Sequence, residues 1–314
     1  MTTVARAPLV RAGPGVAAWT ALPERDRALL LWLVQGDVVT AELAALLCYG
    51  HLRIAQRRLA KLVGYGLLSG FWAANRQRPR GRYAYALTKQ TRQQLERLVW
   101  PEGKRKLPDG QIETVSPVIH QLATHDVFAS FLRAVDHERD VGITSWVPER
   151  ALIRLNYWAS PRPDALAVIG TGDASIVLFI ERDLGTERGG TLWSKVKSYR
   201  DVYDSRPEAA PVHVGLVVDT PRRAASVRRS LRGDTDGKAV HAWVTIASDL
   251  ATSPYDAVWL SPSMDVARTV DLAAHWTGDR WDLLAPGCLA DPDALEMLDD
   301  RVIGFVPLLR AAAR

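Results

Sequence analysis

The sequence predicts a mixed α/β (α+β) protein of two domains, and three observations lead to this prediction. Its 314 residues are enough to build two hydrophobic cores. Residues 51–106 carry fourteen Lys and Arg against two Glu, whereas residues 253–314 carry ten Asp and Glu against five Arg. From residue 116 onward, apolar runs typical of strands alternate with segments of helical periodicity, which favours a sheet packed against helices.

Composition argues against several classes of protein. The two cysteines, Cys48 and Cys288, lie far apart without a CxxC motif, which disfavours a disulfide scaffold and a zinc site. Residues 1–20 are rich in Arg and small residues, so we expect them to be disordered, and they lack the apolar core of a signal peptide. No apolar run approaches the ~20 residues of a membrane span. We therefore expect a cytoplasmic protein without membrane contact.

The first domain, residues 21–100, is predicted to contain helices and one hairpin. Thr40 is a favourable N-cap and Gly50 a favourable terminator, so a short helix is expected between them. Two apolar and aromatic runs then flank an arginine-rich tip, a pattern typical of a hairpin. The predicted elements are helices over 22–36, 40–50 and 51–66, the hairpin over 67–88 and a helix over 88–100. A polar linker over 101–115 follows.

Three short helices followed by a basic hairpin is the order of a winged helix-turn-helix, whose recognition helix enters the major groove of DNA. In the third helix, apolar residues lie on one face and cations mostly on the other. The residues of this helix expected to contact double-stranded DNA are Arg53, Gln56, Arg57 and Lys61. Those expected from the hairpin are Arg76, Arg78, Arg80 and Arg82. The alternative is a solvated basic surface, and winged helices also bind proteins.

The second domain, residues 116–314, is predicted to alternate strands and helices. A long amphipathic helix over 116–138 comes first, and an acidic region ends the chain. The runs ALAVIG, SIVLFIERD, VHVGLVVDT, HAWVTIA and DAVWL are read as strands. Helices are expected in the intervening segments GGTLWSKVKSYRDVYD and PRRAASVRRSLRG.

Acidic residues stand at the ends of two of these strands. Asp164 precedes ALAVIG, and Glu181 ends the run SIVLFI, with Asp183 two residues later. If 165–169 and 176–180 pair as a hairpin across the GTGD turn, Asp164 and Glu181 lie opposite each other, with Cβ atoms ~5 Å apart. Carboxylates at that spacing suit a hard cation such as Mg²⁺ or Mn²⁺. Such an ion can activate water beside a phosphate.

The pattern of Pro163-Asp164, then a strand ending in Glu181-x-Asp183, resembles the PD-(D/E)xK nuclease core. With the upstream winged helix and the downstream helix containing Lys195, residues 22–220 resemble the actinobacterial replication-relaxation family of plasmid and integrative-element proteins. The MobC-type relatives of that family are relaxases. The resemblance implies a restriction-endonuclease-like, three-layer α/β fold for the second domain.

The resemblance also implies roles for individual residues. Asp164 and Glu181 would be catalytic metal ligands, and Glu149 would match an additional acid found upstream in many such nucleases. The motif has Lys where this chain has Asp183, which is expected to be a further ligand or to pair with Lys195 or Arg182. The missing lysine is then expected on the following helix, as Lys195.

Helical spacing supports this placement of Lys195, because it shares a face with Leu192, Val196 and Tyr199. A cation there could orient the attacking water or stabilise charge on the phosphate. Tyr199 and Tyr203 are read as core aromatics. The alternative is that one of them is a nucleophile that forms a phosphotyrosine.

The sequence therefore predicts a DNA-binding protein of plasmid or mobile-element replication or transfer that acts as a metal-dependent nickase. One alternative is a non-catalytic replication factor or transcriptional regulator with a degenerate nuclease fold. Another is an interaction module whose acidic C-terminal region recruits a partner. Other replication or transfer proteins and a second copy of the chain are further candidate partners.

Overall fold

The computed structural model describes the chain in segments. The described residues are 21–74, 81–99, 115–134, 141–154, 162–171, 174–185, 189–203, 212–231, 240–256, 258–262 and 266–267. They divide into two compact units, with the division after His125. The predicted disordered segment, three hairpin arginines, most of the linker and the acidic region beyond residue 267 lie outside the described residues. In the part of the chain that is described, no helix is long and apolar enough to cross a membrane.

The first unit is built from short helices and a three-stranded antiparallel sheet in the order β1-β3-β2. Its elements are α1 (Glu24–Gly36), β1 (Val38–Val39), α2 (Ala41–Ala44) with a π-helical turn (Ala45–Tyr49), α3 (Leu52–Gly64), β2 (Leu68–Ala73), β3 (Arg82–Leu87), α4 (Lys89–Val99) and the first part of α5 (Val115–Arg133). The mixture of helices and hairpin agrees with the sequence prediction.

Local sequence signals account for the short second helix of this unit. The Thr40 side chain accepts a hydrogen bond from the backbone N of Leu43 at 3.3 Å, which confirms it as the N-cap. The π-helical turn that follows ends at Gly50, whose φ of 72° lies in the left-handed region. A side chain at that position would be strained, so glycine terminates the helix and lets α3 begin in a new direction.

The second unit has a seven-stranded sheet in the order β10-β9-β8-β7-β6-β5-β4. Its elements after α5 are β4 (Val141–Pro148), α6 (Glu149–Arg154), β5 (Ala165–Thr171), β6 (Ala174–Asp183), α7 (Gly189–Tyr203), β7 (Val212–Val218), α8 (Pro221–Leu231), β8 (Val240–Ile246), α9 (Ala247–Thr252), β9 (Trp259–Leu260) and β10 (Val266–Ala267). Strands β4, β5 and β6 are antiparallel neighbours, whereas β6, β7 and β8 run parallel and are connected through α7 and α8.

Helices cover both faces of this sheet. Apolar residues of α7 and α8 form one core with β7 and β8, including Leu192, Val196 and Leu216. On the opposite face, Phe128 of α5 stacks on Trp146 of β4 with ring centroids 4.8 Å apart. Because successive strand residues point to opposite faces, each strand contributes to both cores.

Three elements of the second unit differ from the sequence prediction, one of them the run DAVWL, of whose described residues only Trp259–Leu260 form a strand. Helix α5 ends at Arg133, five residues before the predicted end at 138. The segment around Trp146 forms strand β4, which pairs with β5 through a bulge between Ile143 and Ser145. The apolar alternation of this strand is short and interrupted, so its strand character depends on the neighbouring β5.

Candidate functional site

Glu181 lies near the end of β6 with its side chain in the core of the second unit. Ala165 of β5 is opposite Ile180, and Glu181 itself is paired with Leu216 of β7. Leu216 belongs to the core that α7 and α8 cover. The Glu181 side chain is only 1% exposed, so the strand register places a carboxyl group in apolar surroundings.

Two residues of α7 donate hydrogen bonds to the Glu181 carboxyl group. Lys195 Nζ lies 2.9 Å from Oε2, and Tyr199 Oη lies 2.7 Å from Oε1. Their four-residue spacing places them on one face of the helix, together with the buried Val196. The Lys195 side chain is 30% exposed whereas Tyr199 is buried, so solvent reaches the lysine side of this arrangement.

Asp164 lies directly before β5 and is the neighbour of Glu181 across the two strands. Its backbone N donates to the carbonyl oxygen of Ile180 at 3.0 Å, which continues the hairpin register by one residue. Its half-buried carboxylate accepts from the backbone N of Arg182 through Oδ2 at 2.6 Å. The register expected from the sequence is confirmed, and it brings the two acids together.

The environment raises the pKa of Glu181 from its ordinary 4.5 to about 8. The largest cause is burial, which disfavours the charged form, and repulsion from Asp164 acts in the same direction. The contacts with Lys195 and Tyr199 act against the rise. The two carboxyl groups therefore resist carrying two negative charges, and additional positive charge beside them would relieve that repulsion.

Asp183 is used differently from Glu181, although both lie on the same face of β6. Its Oδ1 accepts from the backbone N of Gly185 at 2.8 Å, and its Oδ2 accepts from Arg223 Nε of α8. The sequence left open a metal ligand or an ion pair with Lys195 or Arg182 for Asp183, whereas the structure shows an ion pair with Arg223, forty positions away. Arg182 points to the other face and donates to backbone oxygens of β6 and β7.

The four acids predicted as ligands do not form one cluster. Among the described residues, no group of three or more His, Cys, Asp or Glu side chains is arranged to hold a metal ion. Glu149 begins α6, its side chain is half-buried, and its backbone N donates to the carbonyl oxygen of Asp164 at 3.0 Å. Asp164 and Glu181 offer two carboxyl groups of the kind that Mg²⁺ or Mn²⁺ takes as ligands, and water and substrate phosphates commonly complete such a site.

The alternative role of Tyr199, as an exposed nucleophile, does not fit its position. Its side chain is fully buried, stacks on Phe179 with centroids 5.5 Å apart and donates to Glu181. This confirms the interpretation as a core aromatic. The sequence analysis did not predict its hydrogen bond to Glu181. The four-residue spacing from Lys195 could have indicated it, because that spacing places both side chains on the same face of α7. The side chain of Tyr203 lies outside the described residues.

The first unit presents a separate candidate surface on α3. Ala55, Leu59 and Leu62 are buried and anchor the helix. The predicted DNA-contacting residues Arg53, Gln56, Arg57 and Lys61 are all exposed. The helix is therefore amphipathic, with a basic outer face suited to phosphates.

Not every arginine near this surface faces outward. Arg58 of α3 pairs with the buried Asp26 of α1, and Tyr49 donates to the same carboxylate at 2.9 Å. Arg82, the first residue of β3, is half-buried. The other predicted hairpin contacts, Arg76, Arg78 and Arg80, lie outside the described residues.

Comparison with protein families gives one match, to the replication-relaxation family, over residues 30–216. The matched range contains α3 of the first unit and the two acids and the lysine of the second. No curated protein sequence matches the chain.

Proposed function

Because the chain belongs to the replication-relaxation family, we propose that it binds and nicks double-stranded DNA of a plasmid or other mobile element. The family itself indicates a role in the replication or relaxation of such DNA. The proposed nickase uses Mg²⁺ or Mn²⁺. The observation that carries this proposal is the position of Asp164 beside Glu181 on adjacent strands, with Lys195 Nζ 2.9 Å from Glu181.

Each residue of the pair and its neighbours has a role in this proposal. Asp164 and Glu181 would hold the metal ion, and the chemistry that it would supply when bound is an activated water and neutralisation of charge on the scissile phosphate. Lys195 donates to Glu181 and is open to solvent, so it can offer positive charge to a phosphate beside the acids. Tyr199 acts as a positioning residue, because its hydrogen bond orients the Glu181 carboxyl group.

The topology of the second unit supports a nuclease-like interpretation. The antiparallel strands β4, β5 and β6 are followed by α7 and by β7, which is parallel to β6. The acids lie where β5 begins and β6 ends, at the same edge of the sheet.

The first unit is proposed to be a winged helix-turn-helix that grips duplex DNA. Its order of α1, β1, α2, α3, β2 and β3 supports this assignment, and the exposed cations of α3 supply the contacts to phosphates. Binding is then expected to weaken with salt, with a log–log slope that grows with the number of phosphates neutralised. Arg57→Ala should reduce that slope by about one unit.

A plasmid-relaxation assay tests the nickase. Supercoiled plasmid is incubated with the protein and Mg²⁺ or Mn²⁺, and the open-circular product is measured by gel electrophoresis. The variants are Asp164→Asn, Glu181→Gln and Lys195→Met, with Lys197→Met as the matched control. Lys197 lies two residues away on α7 and pairs with Asp201 in solvent. If the wild-type protein binds the plasmid but never relaxes it with either metal, the nickase is refuted.

A non-catalytic replication factor is the second candidate, and one observation favours it. Both oxygens of Glu181 already accept hydrogen bonds, from Lys195 and Tyr199, as in a structural ion pair. This candidate predicts DNA binding that is independent of metal and unchanged in Glu181→Gln. The plasmid assay, together with binding measured on the same preparations, separates the two.

A further inference from the structure

Three aromatic residues on one face of the β2–β3 hairpin form an exposed stripe. The members of this aromatic stripe are Trp72, Tyr83 and Tyr85. Trp72 and Tyr83 are cross-strand partners, and their ring centroids are 5.5 Å apart. The ring centroids of Tyr83 and Tyr85 are 5.2 Å apart, and the rings of both pairs meet edge-to-face. Trp72 is 61% exposed and Tyr83 41%, so two large rings meet solvent although burial would stabilise them.

The hairpin backbone holds this stripe in position. Gly70 is opposite Tyr85 in the register, and a Cβ at Gly70 would come within 2.9 Å of Tyr83 Cζ. Tyr83 therefore lies against bare backbone, which a larger residue at position 70 would prevent. Leu68 and Leu87 are buried at the base of the same face. A preorganised aromatic surface loses little conformational entropy when it binds a ligand.

The sequence that joins the two strands of the stripe is basic. Residues 75–80, which connect β2 to β3, contain three arginines. Arg82 adds a positive charge at the same end of β3, although it lies on the face opposite Tyr83 and acts electrostatically on the buried His125. An acid, Glu42, acts electrostatically on Tyr85 at the other end of the stripe. Trp72 and Tyr83 therefore lie where the strands lead into the basic connecting sequence, whereas Tyr85 lies further from it. Such a surface attracts a polyanion toward the tryptophan.

We propose that the aromatic stripe stacks against unpaired bases of DNA, with Trp72 as the principal contact. The proposal rests on DNA binding by the first unit, and it adds a preference for single-stranded or locally unpaired DNA. Stacking on a ring needs only its flat surface and tolerates any base. A protein partner would need a larger apolar patch than two exposed rings provide. Replication, in which the strands separate, generates the unpaired bases that such a surface would hold.

Binding of three fluorescein-labelled DNAs tests the proposal by anisotropy. They are a duplex, a single strand of the same length, and the same duplex with a short unpaired bubble. Full-length wild type is compared with Trp72→Ala, Trp72→Phe and Arg57→Ala. Trp72→Ala should weaken binding of the single strand and the bubble about 10-fold, the effect expected for one stacked base. Its affinity for the duplex should stay within about 2-fold of wild type.

Two comparisons make the result specific. Trp72→Phe keeps an aromatic face and should recover most of the lost affinity, whereas Arg57→Ala should weaken binding of the intact duplex. A 2-aminopurine in the bubble should lose fluorescence when wild type binds and lose less with Trp72→Ala, because stacking quenches it.

The proposal is overturned if Trp72→Ala binds the bubble as tightly as wild type, the outcome expected for a stripe that holds a protein. It is also overturned if all three DNAs lose affinity equally. If wild type binds the duplex but Trp72→Ala has no selective effect on the single strand and the bubble, the stacking is refuted and the proposed DNA binding stands. Wild type that binds none of the DNAs refutes both.

Discussion

Each unit of this protein buries a carboxyl group against a tyrosine hydroxyl and a cation. The two arrangements differ first in the cation. In the first unit, Tyr49 donates to Asp26 at 2.9 Å and Arg58 donates through both Nε and Nη2. In the second unit, Tyr199 and Lys195 each donate once to Glu181. The first carboxylate has a bidentate guanidinium partner, whereas the second has a single ammonium group.

The difference becomes larger when the neighbours are considered. Asp26, Tyr49 and Arg58 join α1, the π-helical turn and α3, so their contacts hold three helical segments together. Glu181 lies beside a second acid, Asp164, which contributes to its raised pKa. A carboxylate satisfied by a guanidinium fork is suited to structure. An acid pair with one lysine retains a need for positive charge, as a metal-assisted site does.

The largest expected effect is on the nicking activity, which should depend on Glu181 and not on Asp26. Glu181→Gln should reduce metal-dependent nicking by on the order of 10²-fold or more, because a glutamine amide cannot replace a carboxylate ligand of the metal ion. Asp26→Asn should leave the nicking rate of folded protein near the wild-type value. Initial rates of plasmid relaxation at low temperature measure both. Equal losses in the two variants would mean that the second carboxylate is structural as well.

Stability should show the opposite order. Asp26→Asn leaves Arg58, whose side chain is only 21% exposed, without its counter-charge, and should lower the free energy of unfolding by about 2–3 kcal/mol. Glu181→Gln removes a buried acid whose partner Lys195 can turn to solvent, so its cost at neutral pH should stay below about 1 kcal/mol. Urea denaturation followed by circular dichroism measures both values.

Two buried groups, one in each unit, should give stability opposite dependences on pH. Burial lowers the pKa of His125 in the first unit to about 3. Between pH 6.5 and 3 the unfolded chain binds a proton that the folded histidine does not, so the unfolding free energy falls as pH falls. Glu181, with its pKa raised to about 8, keeps a proton that the unfolded chain has lost above pH 4.5. Its contribution therefore falls as pH rises toward 8.

The slope from each group is limited to about 1.4 kcal/mol per pH unit. His125→Gln should flatten the acid side of the stability profile and Glu181→Gln the neutral-to-alkaline side. Unfolding free energies at several values between pH 4 and 9 provide the profile. If one of the two variants has the same stability profile as wild type, the group that it replaces does not titrate as its burial implies.

The smallest effect is expected at an exposed ion pair, in contrast to the buried carboxyl groups of Asp26 and Glu181. Lys197 and Asp201 pair at 3.1 Å on α7, with side chains 50% and 63% exposed. Lys197→Met should change the unfolding free energy by less than about 0.5 kcal/mol, because water screens such pairs. Thermal unfolding and the plasmid assay should both give nearly wild-type values. A loss of activity comparable with that of Lys195→Met would remove the distinction between the two lysines.

The sequence by itself determined those features that repeat over short distances. The 3.6-residue period separated the exposed Arg53 and Lys61 from the buried Leu59 on α3, and Thr40 and Gly50 marked the ends of a helical segment. The two-residue period of the strands predicted the hairpin register that sets Asp164 beside Glu181. These predictions succeeded because each depends on neighbours in the chain or on one tight turn.

Only the tertiary structure decided how the remaining charges are paired. Arg58 looked like another surface cation of α3 but pairs with Asp26, 32 residues away, and Arg223 of α8 pairs with Asp183. The short apolar segment of β4 became a strand through its pairing with β5. Such contacts depend on how helices pack on a sheet, and local periodicity carries no information about a partner that folding brings from a distant part of the chain.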